Sequence, residues 1–306
     1  AHVVHHQSEE YNLSVALRQG ALQGWFSWVF YLPLAVLGFP PLMYLTLSSL
    51  NTLYQFWIHT RVIGRLGPLE LVLNTPSNHR VHHARNPKYV DRNHGGTLIV
   101  WDRLFGTYRE EEEEPVYGIT SPLKSWNPVW ANLQVWVELG GIARRSSRFS
   151  DRLRVFWKRP GWRPAELGGF VPPPEIDPRN PPAKFETNVP RGLVLYAFLQ
   201  LLSVLFLSAV LLRNQDRLAA PPLVSGSVGA VAALVCLAGL LEVRPWALPL
   251  ELLRILLFLG GALVFLPLGR PLVVPLVLAA LVLGGWLLSY RTFFNERLER
   301  PGEAPL

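Results

Sequence analysis

The sequence predicts an all-α integral membrane protein, a helical bundle that carries a histidine-rich site for two metal ions on its cytosolic side. Half of the 306 residues are apolar and only 17% are charged, a composition typical of membrane proteins. Long apolar runs alternate with polar stretches rich in arginine, where the positive-inside rule places basic residues. The pattern His-x-x-His-His occurs twice, and every histidine lies at or before position 94.

The two copies of the histidine pattern predict the metal site. Together they comprise His2, His5, His6, His79, His82 and His83. Positions i, i+3 and i+4 lie on one face of a helix, so each copy is expected to present its three imidazoles to one point. Neutral imidazole is the commonest metal ligand in proteins, and two such faces predict two metal ions. Chance surface histidines are the alternative, which two copies flanking an apolar stretch disfavour.

The overall charge and the single cysteine narrow the function classes. A net charge of +7 would suit nucleic acid, but the arginines lie between apolar runs, which favours a membrane surface and no nucleic acid partner. Cys236 is the only cysteine, so disulfides and cysteine–metal sites within one chain are excluded.

The first 58 residues are expected to form a short helix and a membrane hairpin. Residues 1–19 carry the first histidine copy. Residues 21–58 are almost free of charge, and each half is close to the length of about 20 residues that spans a bilayer. Gly38–Pro41 predicts the turn. Polar side chains on the second arm indicate that this arm faces protein or a substrate cavity.

The polar region after the hairpin supplies further candidates. His59 stands at the end of the apolar stretch, and its proximity to the second copy makes it a candidate ligand. Asp102 lies in an apolar patch where an unpaired charge would be costly. Asp102 or Glu9 is therefore expected to orient a ligating histidine, and both are candidate catalytic carboxylates. A helix cap or a salt bridge is the alternative for Asp102. The glutamates at 110–114 are expected to form a solvated loop.

The remainder of the chain is expected to anchor it. Arg144–Arg159 is basic and aromatic, and both a membrane-surface helix and an ordinary solvated helix fit it. Glu251 and Arg254 are expected to reach out of an apolar run towards water, in a structural role. The predicted divisions are a catalytic domain at 1–130 with its hairpin at about 21–58, an amphipathic and proline-rich linker at 131–190, a four-helix transmembrane region at 191–290 and a polar tail at 291–306.

The motifs resemble those of a known family. Both histidine copies, Trp101–Thr107 and the stretches around Glu9, Gln55–Thr60 and Leu66–Glu70 are similar to the fatty acid hydroxylase and sterol desaturase superfamily, and within it to the branch that cleaves alkylglycerols. The resemblance runs over about 1–130. The family's His-x-x-x-His box is not in this chain and is expected upstream of Ala1, so the chain is expected to be part of a longer protein and inactive alone. His94 stands where the family often has tyrosine.

The resemblance implies an oxidoreductase. It implies two iron ions, tetrahydrobiopterin as reductant, O2 as oxidant and a lipid substrate that enters from the bilayer. The implied reaction hydroxylates the carbon beside an ether oxygen and cleaves alkylglycerols. A multi-pass protein of the bacterial inner membrane or the endoplasmic reticulum is expected. Two alternatives remain, a sterol or fatty-acyl hydroxylase or desaturase on the same site and a membrane protein that binds metal or lipid without turnover.

Overall fold

A computed structural model describes residues 2–265 and 270–299. The regular elements of the described residues are all helices, with no strand, so the all-α fold class is confirmed. The only β-type pairings among these residues are isolated bridges between Leu73 and Leu98 and between Ala84 and Tyr117. In chain order the helices are α1 (Val3–His6), α2 (Leu13–Ala16), α3 (Gln23–Ser27), α4 (Leu32–Val36), α5 (Pro41–Trp57), α6 (Pro76–His83), α7 (Val100–Phe105), α8 (Pro128–Arg145), α9 (Phe149–Arg154), α10 (Arg191–Arg213), α11 (Ala220–Leu241), α12 (Ala247–Phe265), α13 (Arg270–Leu288) and α14 (Arg291–Glu299).

The chain forms two compact units. The first comprises residues 1–123 and 131–184, and the second comprises residues 124–130 and 185–306. All of the histidines lie in the first unit. Short 3-10 helices over Trp28–Tyr31, Gly67–Leu71 and Ala165–Leu167 connect its longer elements.

The predicted hairpin has a broken first arm. Residues 23–36 form α3, a 3-10 turn and α4 instead of one long helix, and Pro33 stands in the first turn of α4, where its missing N–H is tolerated. The chain reverses at Gly38, whose φ of 80° suits glycine. The second arm, α5, has 17 residues, which is about 26 Å at 1.5 Å per residue. Neither arm is among the helices long and apolar enough to span a bilayer.

A buried carboxylate fixes the start of α6, the helix that carries the second histidine copy. Glu70 Oε1 accepts hydrogen bonds from the Leu66 N–H at 2.8 Å, the Thr75 hydroxyl at 3.1 Å and the Ser77 hydroxyl at 2.5 Å. Pro76 occupies the first turn, where helices favour proline. These contacts hold the entry of the chain into α6.

The run of five glutamates is a loop in which Glu110, Glu112 and Glu114 are exposed, as expected, and all five side chains are also paired with bases. Each glutamate contacts a basic residue of the same unit: Glu110 contacts Arg65, Glu111 contacts Arg80, Glu112 and Glu113 contact Lys88, and Glu114 contacts Arg61. The Arg80–Glu111 pair is the most buried, with side chains 9% and 15% exposed. Residues 110–114, which we name the acidic strap, are held against the first unit because the fold brings four cations to them.

The second unit contains the apolar helices. By length and composition, three of its described helical segments could cross a membrane, Arg191–Arg213, Ala220–Leu241 and Leu272–Arg297, which suggests a membrane protein. Its largest buried core cluster includes Leu193, Leu240 and Leu287 from α10, α11 and α13.

Glu251 does not reach out to water as expected. It is fully buried in α12, where Arg254 Nε donates to its Oε2 at 2.7 Å and the Tyr196 hydroxyl donates to its Oε1 at 2.5 Å. Arg254 also donates to the Gln200 side chain of α10 at 2.8 Å. The expectation fails because these partners inside the bundle satisfy the charge.

Candidate metal centre

The seven candidate histidines gather around two neighbouring points. Four of them, which we name the buried cluster, are His5, His59, His79 and His83, and all four are buried. The other three, which we name the outer cluster, are His2, His6 and His82. Within each cluster, one ring nitrogen from every member lies within 4.8 Å of those of all the others. The clusters adjoin each other, since the His6 and His83 rings stack with centroids 4.3 Å apart.

The structure divides each histidine copy between the two points. His2 and His6 of the first copy share the outer cluster, whereas His5 joins the buried one; His79 and His83 of the second copy share the buried cluster, whereas His82 joins the outer one. The expectation that each copy serves one point is therefore wrong. Successive helical residues are about 100° apart, so i+4 lies about 40° to one side of i and i+3 lies about 60° to the other side, which separates i+3 from the other two. Each copy contributes to both points.

Backbone carbonyls set the orientation of two rings in the buried cluster. His5 Nδ1 donates to Arg18 O at 2.9 Å, and His59 Nδ1 donates to Gln55 O at 2.6 Å. A carbonyl only accepts, so both protons sit on Nδ1 and both Nε2 atoms present lone pairs. These two Nε2 atoms are 3.0 Å apart. Facing lone pairs at that distance repel unless a cation lies between them.

The spacing of the nitrogens fits a metal. His59 and His79 Nε2 are 3.2 Å apart, as are His79 and His83 Nε2. Imidazole nitrogens bind metal at about 2.0–2.1 Å, which puts adjacent ligands of one ion about 3.0–3.4 Å apart. The donor set also fits, because imidazole suits iron, zinc and copper.

Burial disfavours the charged form of the clustered histidines. Burial lowers the pKa of His5 to about 4 and that of His82 to about 3. Burial, together with repulsion from neighbouring imidazoles, holds the pKa values of His6, His79 and His83 well below 6.5. Neutral imidazole is the form that binds metal.

The outer cluster is the more open of the two. His2 is exposed and His6 and His82 are half-buried. His82 Nδ1 donates to Arg92 O at 3.2 Å, which leaves its Nε2 for a ligand. His94 is exposed and its ring centroid lies 5.9 Å from that of His82, outside both clusters. Three imidazoles leave this point with fewer protein ligands than the buried one.

The two candidate carboxylates lie in different settings. Asp102 is 2% exposed; Oδ1 accepts from the His94 N–H at 2.7 Å and the Thr107 hydroxyl at 2.6 Å, while Oδ2 accepts from the Gly95 N–H at 2.7 Å. These bonds hold the loop between α6 and α7. Asp102 lies within α7 and bonds to loop N–H groups, so it is not the helix cap that was the alternative, and its catalytic role stays a prediction. Glu9 is half-buried and lies beside Gly118. A Cβ atom added to that glycine would stand 3.3 Å from the Glu9 Cγ.

Sequence reasoning missed two supports of the buried cluster. Tyr11 is 3% exposed, and its ring centroid lies 5.6 Å from that of His59 and 5.2 Å from that of His83. Arg80, paired with Glu111, donates to Thr60 O at 3.0 Å and so ties α6 to the chain after His59. The position of Arg80 inside the second histidine copy was the available signal for its role.

Comparison with known proteins finds relatives of this chain among lipid hydroxylases. Residues 1–107 match the family model for fatty acid hydroxylases. Alkylglycerol monooxygenase of Homo sapiens is 40% identical over 260 residues, which cover 84% of this chain and 58% of the relative. The Danio rerio protein of that name is 40% identical over 268 residues, with the same two coverages. Ornithine lipid hydroxylase OlsE of Rhizobium tropici is 35% identical over 77 residues, 25% of this chain and 23% of the relative.

The match to these relatives is partial. The chain spans 58% of the length of the vertebrate alkylglycerol monooxygenases. No solved structure matches the chain.

Proposed function

We propose that the chain carries the metal site of a membrane-bound lipid monooxygenase that cleaves the ether bond of alkylglycerols. Two comparisons support this: residues 1–107 match the fatty acid hydroxylase family model, and 84% of the chain aligns with alkylglycerol monooxygenase at 40% identity. The single observation that carries the proposal is the convergence of seven imidazoles on two adjoining points.

We assign one iron ion to each cluster. The buried cluster offers four nitrogens and the outer cluster three, and further ligands at the outer point would come from solvent or from other parts of the native protein. Iron bound there would supply the activation of O2. The protein residues supply position: the carbonyls of Arg18, Gln55 and Arg92 fix three rings, and Asp102 fixes the turn that follows α6.

The proposed reaction is a hydroxylation followed by a collapse. The carbon beside the ether oxygen loses a C–H bond and gains a hydroxyl, with one oxygen atom of O2 entering the lipid and the other leaving as water. Two electrons from tetrahydrobiopterin balance this step. The resulting hemiacetal breaks its other C–O bond and releases an aldehyde and a glycerol. The ether oxygen favours this carbon because it stabilises electron deficiency beside it.

The native protein is proposed to be multi-pass, with the lipid tail reaching the site from the bilayer. The apolar segments 192–212, 222–241, 247–266 and 271–290 are the proposed crossings, of which residue 266 lies outside the described part of the chain. The polar tail at 291–306 is proposed to lie on the same side of the membrane as the histidines.

The test is a turnover assay on the native protein in membranes. Iron content is measured per chain, and aldehyde release from an alkylglycerol is followed with and without tetrahydrobiopterin and O2. We expect two iron ions per chain and aldehyde formation that depends on both additions. The variant His59→Ala is expected to abolish turnover. The matched control, His94→Ala, is expected to retain most of it.

Two other outcomes would change the proposed function. Hydroxylation or desaturation of a sterol or fatty acid, with no aldehyde from alkylglycerols, would change the substrate class and leave the proposed metal site in place. Iron binding without any oxygen-dependent product would contradict the proposal and favour a metal-binding membrane protein.

A further inference from the structure

We propose that residues 149–157 form a membrane-surface element, which inserts an apolar stripe among lipid headgroups while its flanking arginines bind anionic lipid. The segment comprises α9 and the helical turns that follow it, since Trp157 N–H donates to Arg154 O at 3.0 Å and Lys158 N–H to the same oxygen at 2.9 Å. The inference concerns the first unit alone and does not depend on the proposed reaction.

The segment exposes its apolar face and buries its other face. Phe149, Leu153, Phe156 and Trp157 are 72%, 51%, 43% and 88% exposed, whereas Asp151 and Val155 are 9% and 4% exposed. At about 100° per residue the four exposed side chains form one stripe opposite the two buried ones. A helix solvated on its outer face would show the reverse pattern.

The charge around the stripe identifies the partner. Residues 144–159 contain Asp151 as their one acid, and Arg154 pairs with it at 3.1 Å. The remaining bases of this stretch are exposed: Arg144, Arg145, Arg148, Arg152, Lys158 and Arg159. Cations that flank an apolar stripe with a terminal tryptophan are the signature of helices lying in the plane of an anionic bilayer surface. A hydrophobic protein partner would not call for this excess of cations.

An aromatic line joins the stripe to the exposed apolar hairpin. The rings of Phe156 and Trp136 stack with centroids 6.5 Å apart, and those of Trp136 and Phe26 stack at 5.0 Å. Phe26 lies in α3 between Trp25 and Trp28, which are 77% and 56% exposed. Tryptophans concentrate at the headgroup level of membranes, so the stripe and the start of the hairpin belong to one interfacial belt.

The test measures the depth of the stripe in vesicles with the full chain. In a Cys236→Ala background, Trp157→Cys is labelled with an environment-sensitive fluorophore, and Glu175→Cys in the exposed proline-rich segment is the matched control. The protein is reconstituted in phosphatidylcholine, alone or with phosphatidylglycerol, that contains lipids brominated near the headgroup. We expect quenching at position 157 to exceed that at position 175 at least about twofold, and more so with the anionic lipid.

The charges are tested separately. Arg148→Gln combined with Arg152→Gln is expected to lower quenching at position 157 in anionic vesicles and to leave it unchanged in phosphatidylcholine. Equal quenching at 157 and 175 would overturn insertion. A label that is shielded in native membranes but open to aqueous quencher in pure lipid vesicles would also overturn it and assign the stripe to a protein partner.

Discussion

At the residue scale, the buried cluster is set by hydrogen bonds that leave lone pairs pointing inward. Arg18 O and Gln55 O hold the protons of His5 and His59 on Nδ1, and Tyr11 packs against two of the rings. The Tyr11 hydroxyl itself donates to Ile58 O at 3.1 Å. The effect of these contacts is to fix ring orientation before a metal binds, which lowers the cost of assembling the site.

The first prediction separates a cluster member from a bystander. His59→Ala removes one of four buried nitrogens and should lower metal affinity by more than the roughly 10–100-fold typical of losing a residue that only orients a ligand. His94→Ala is the control, because His94 is exposed and outside both clusters. Metal per chain is measured after equilibration with a competing chelator. Equal loss in both variants would contradict the assignment.

The second prediction is a loss of stability in acid for the metal-free protein. Above pH 6.5 His5 is neutral in both the folded and the unfolded state, so it contributes nothing to the pH dependence. Below 6.5 the unfolded state binds a proton that the folded state refuses until about pH 4, so the free energy of unfolding falls across that window. The slope is up to about 1.4 kcal/mol per pH unit for each such histidine.

Thermal unfolding in detergent at pH 7 and pH 5 measures this effect. The variant His5→Asn should show a shallower pH dependence than the parent, because it lacks one of the groups that titrate. A melting temperature that is equal at the two pH values would show that the buried imidazoles do not behave as neutral groups.

At the scale of elements, the acidic strap and the bundle core each depend on a buried ion pair. Arg80 in α6 contacts Glu111 through two hydrogen bonds, at 2.7 and 2.6 Å, and Glu251 in α12 contacts Arg254 and Tyr196. Removing one partner of a buried pair leaves the other charge uncompensated. The two pairs therefore test the two units separately.

Glu111→Ala should destabilise the first unit by about 3–5 kcal/mol and lower the metal content, because Arg80 then loses the partner that holds α6 to the chain after His59. Glu112→Ala is the matched control, since Glu112 is 50% exposed and its contact with Lys88 is worth at most about 1 kcal/mol. The readouts are melting temperature and bound metal. A loss in the control as large as that in Glu111→Ala would show that the whole strap, and not this pair, matters.

Glu251→Ala should lower the melting temperature without removing metal from the clusters, because Glu251 belongs to the second unit and contacts Arg254, Tyr196 and their neighbours. Glu296→Ala, at an exposed position of α14, serves as control. Turnover per folded, metal-loaded molecule should remain. Lost turnover in a folded protein would refute the prediction that residues 192–290 carry no catalytic group.

At the scale of the whole molecule, the apolar surface predicts permanent membrane association. Arg191–Arg213, Ala220–Leu241 and Leu272–Arg297 are each long and apolar enough to cross a bilayer. The chain should therefore remain in the membrane pellet after washing at alkaline pH with carbonate and should dissolve only in detergent. Immunoblots of the two fractions check this, and release into the wash would contradict it.

The sequence by itself determined the helical class and singled out the seven histidines that the structure brings together, because hydrophobicity and helical spacing are local properties. The tertiary structure decided which histidines share a point, since His5 and His59 meet across 54 positions and His59 and His79 across 20. It likewise decided that Glu251 is buried against Tyr196 and that the glutamate run is paired with Arg61, Arg65, Arg80 and Lys88. These contacts join residues far apart in the chain, and residue spacing carries no record of such pairings.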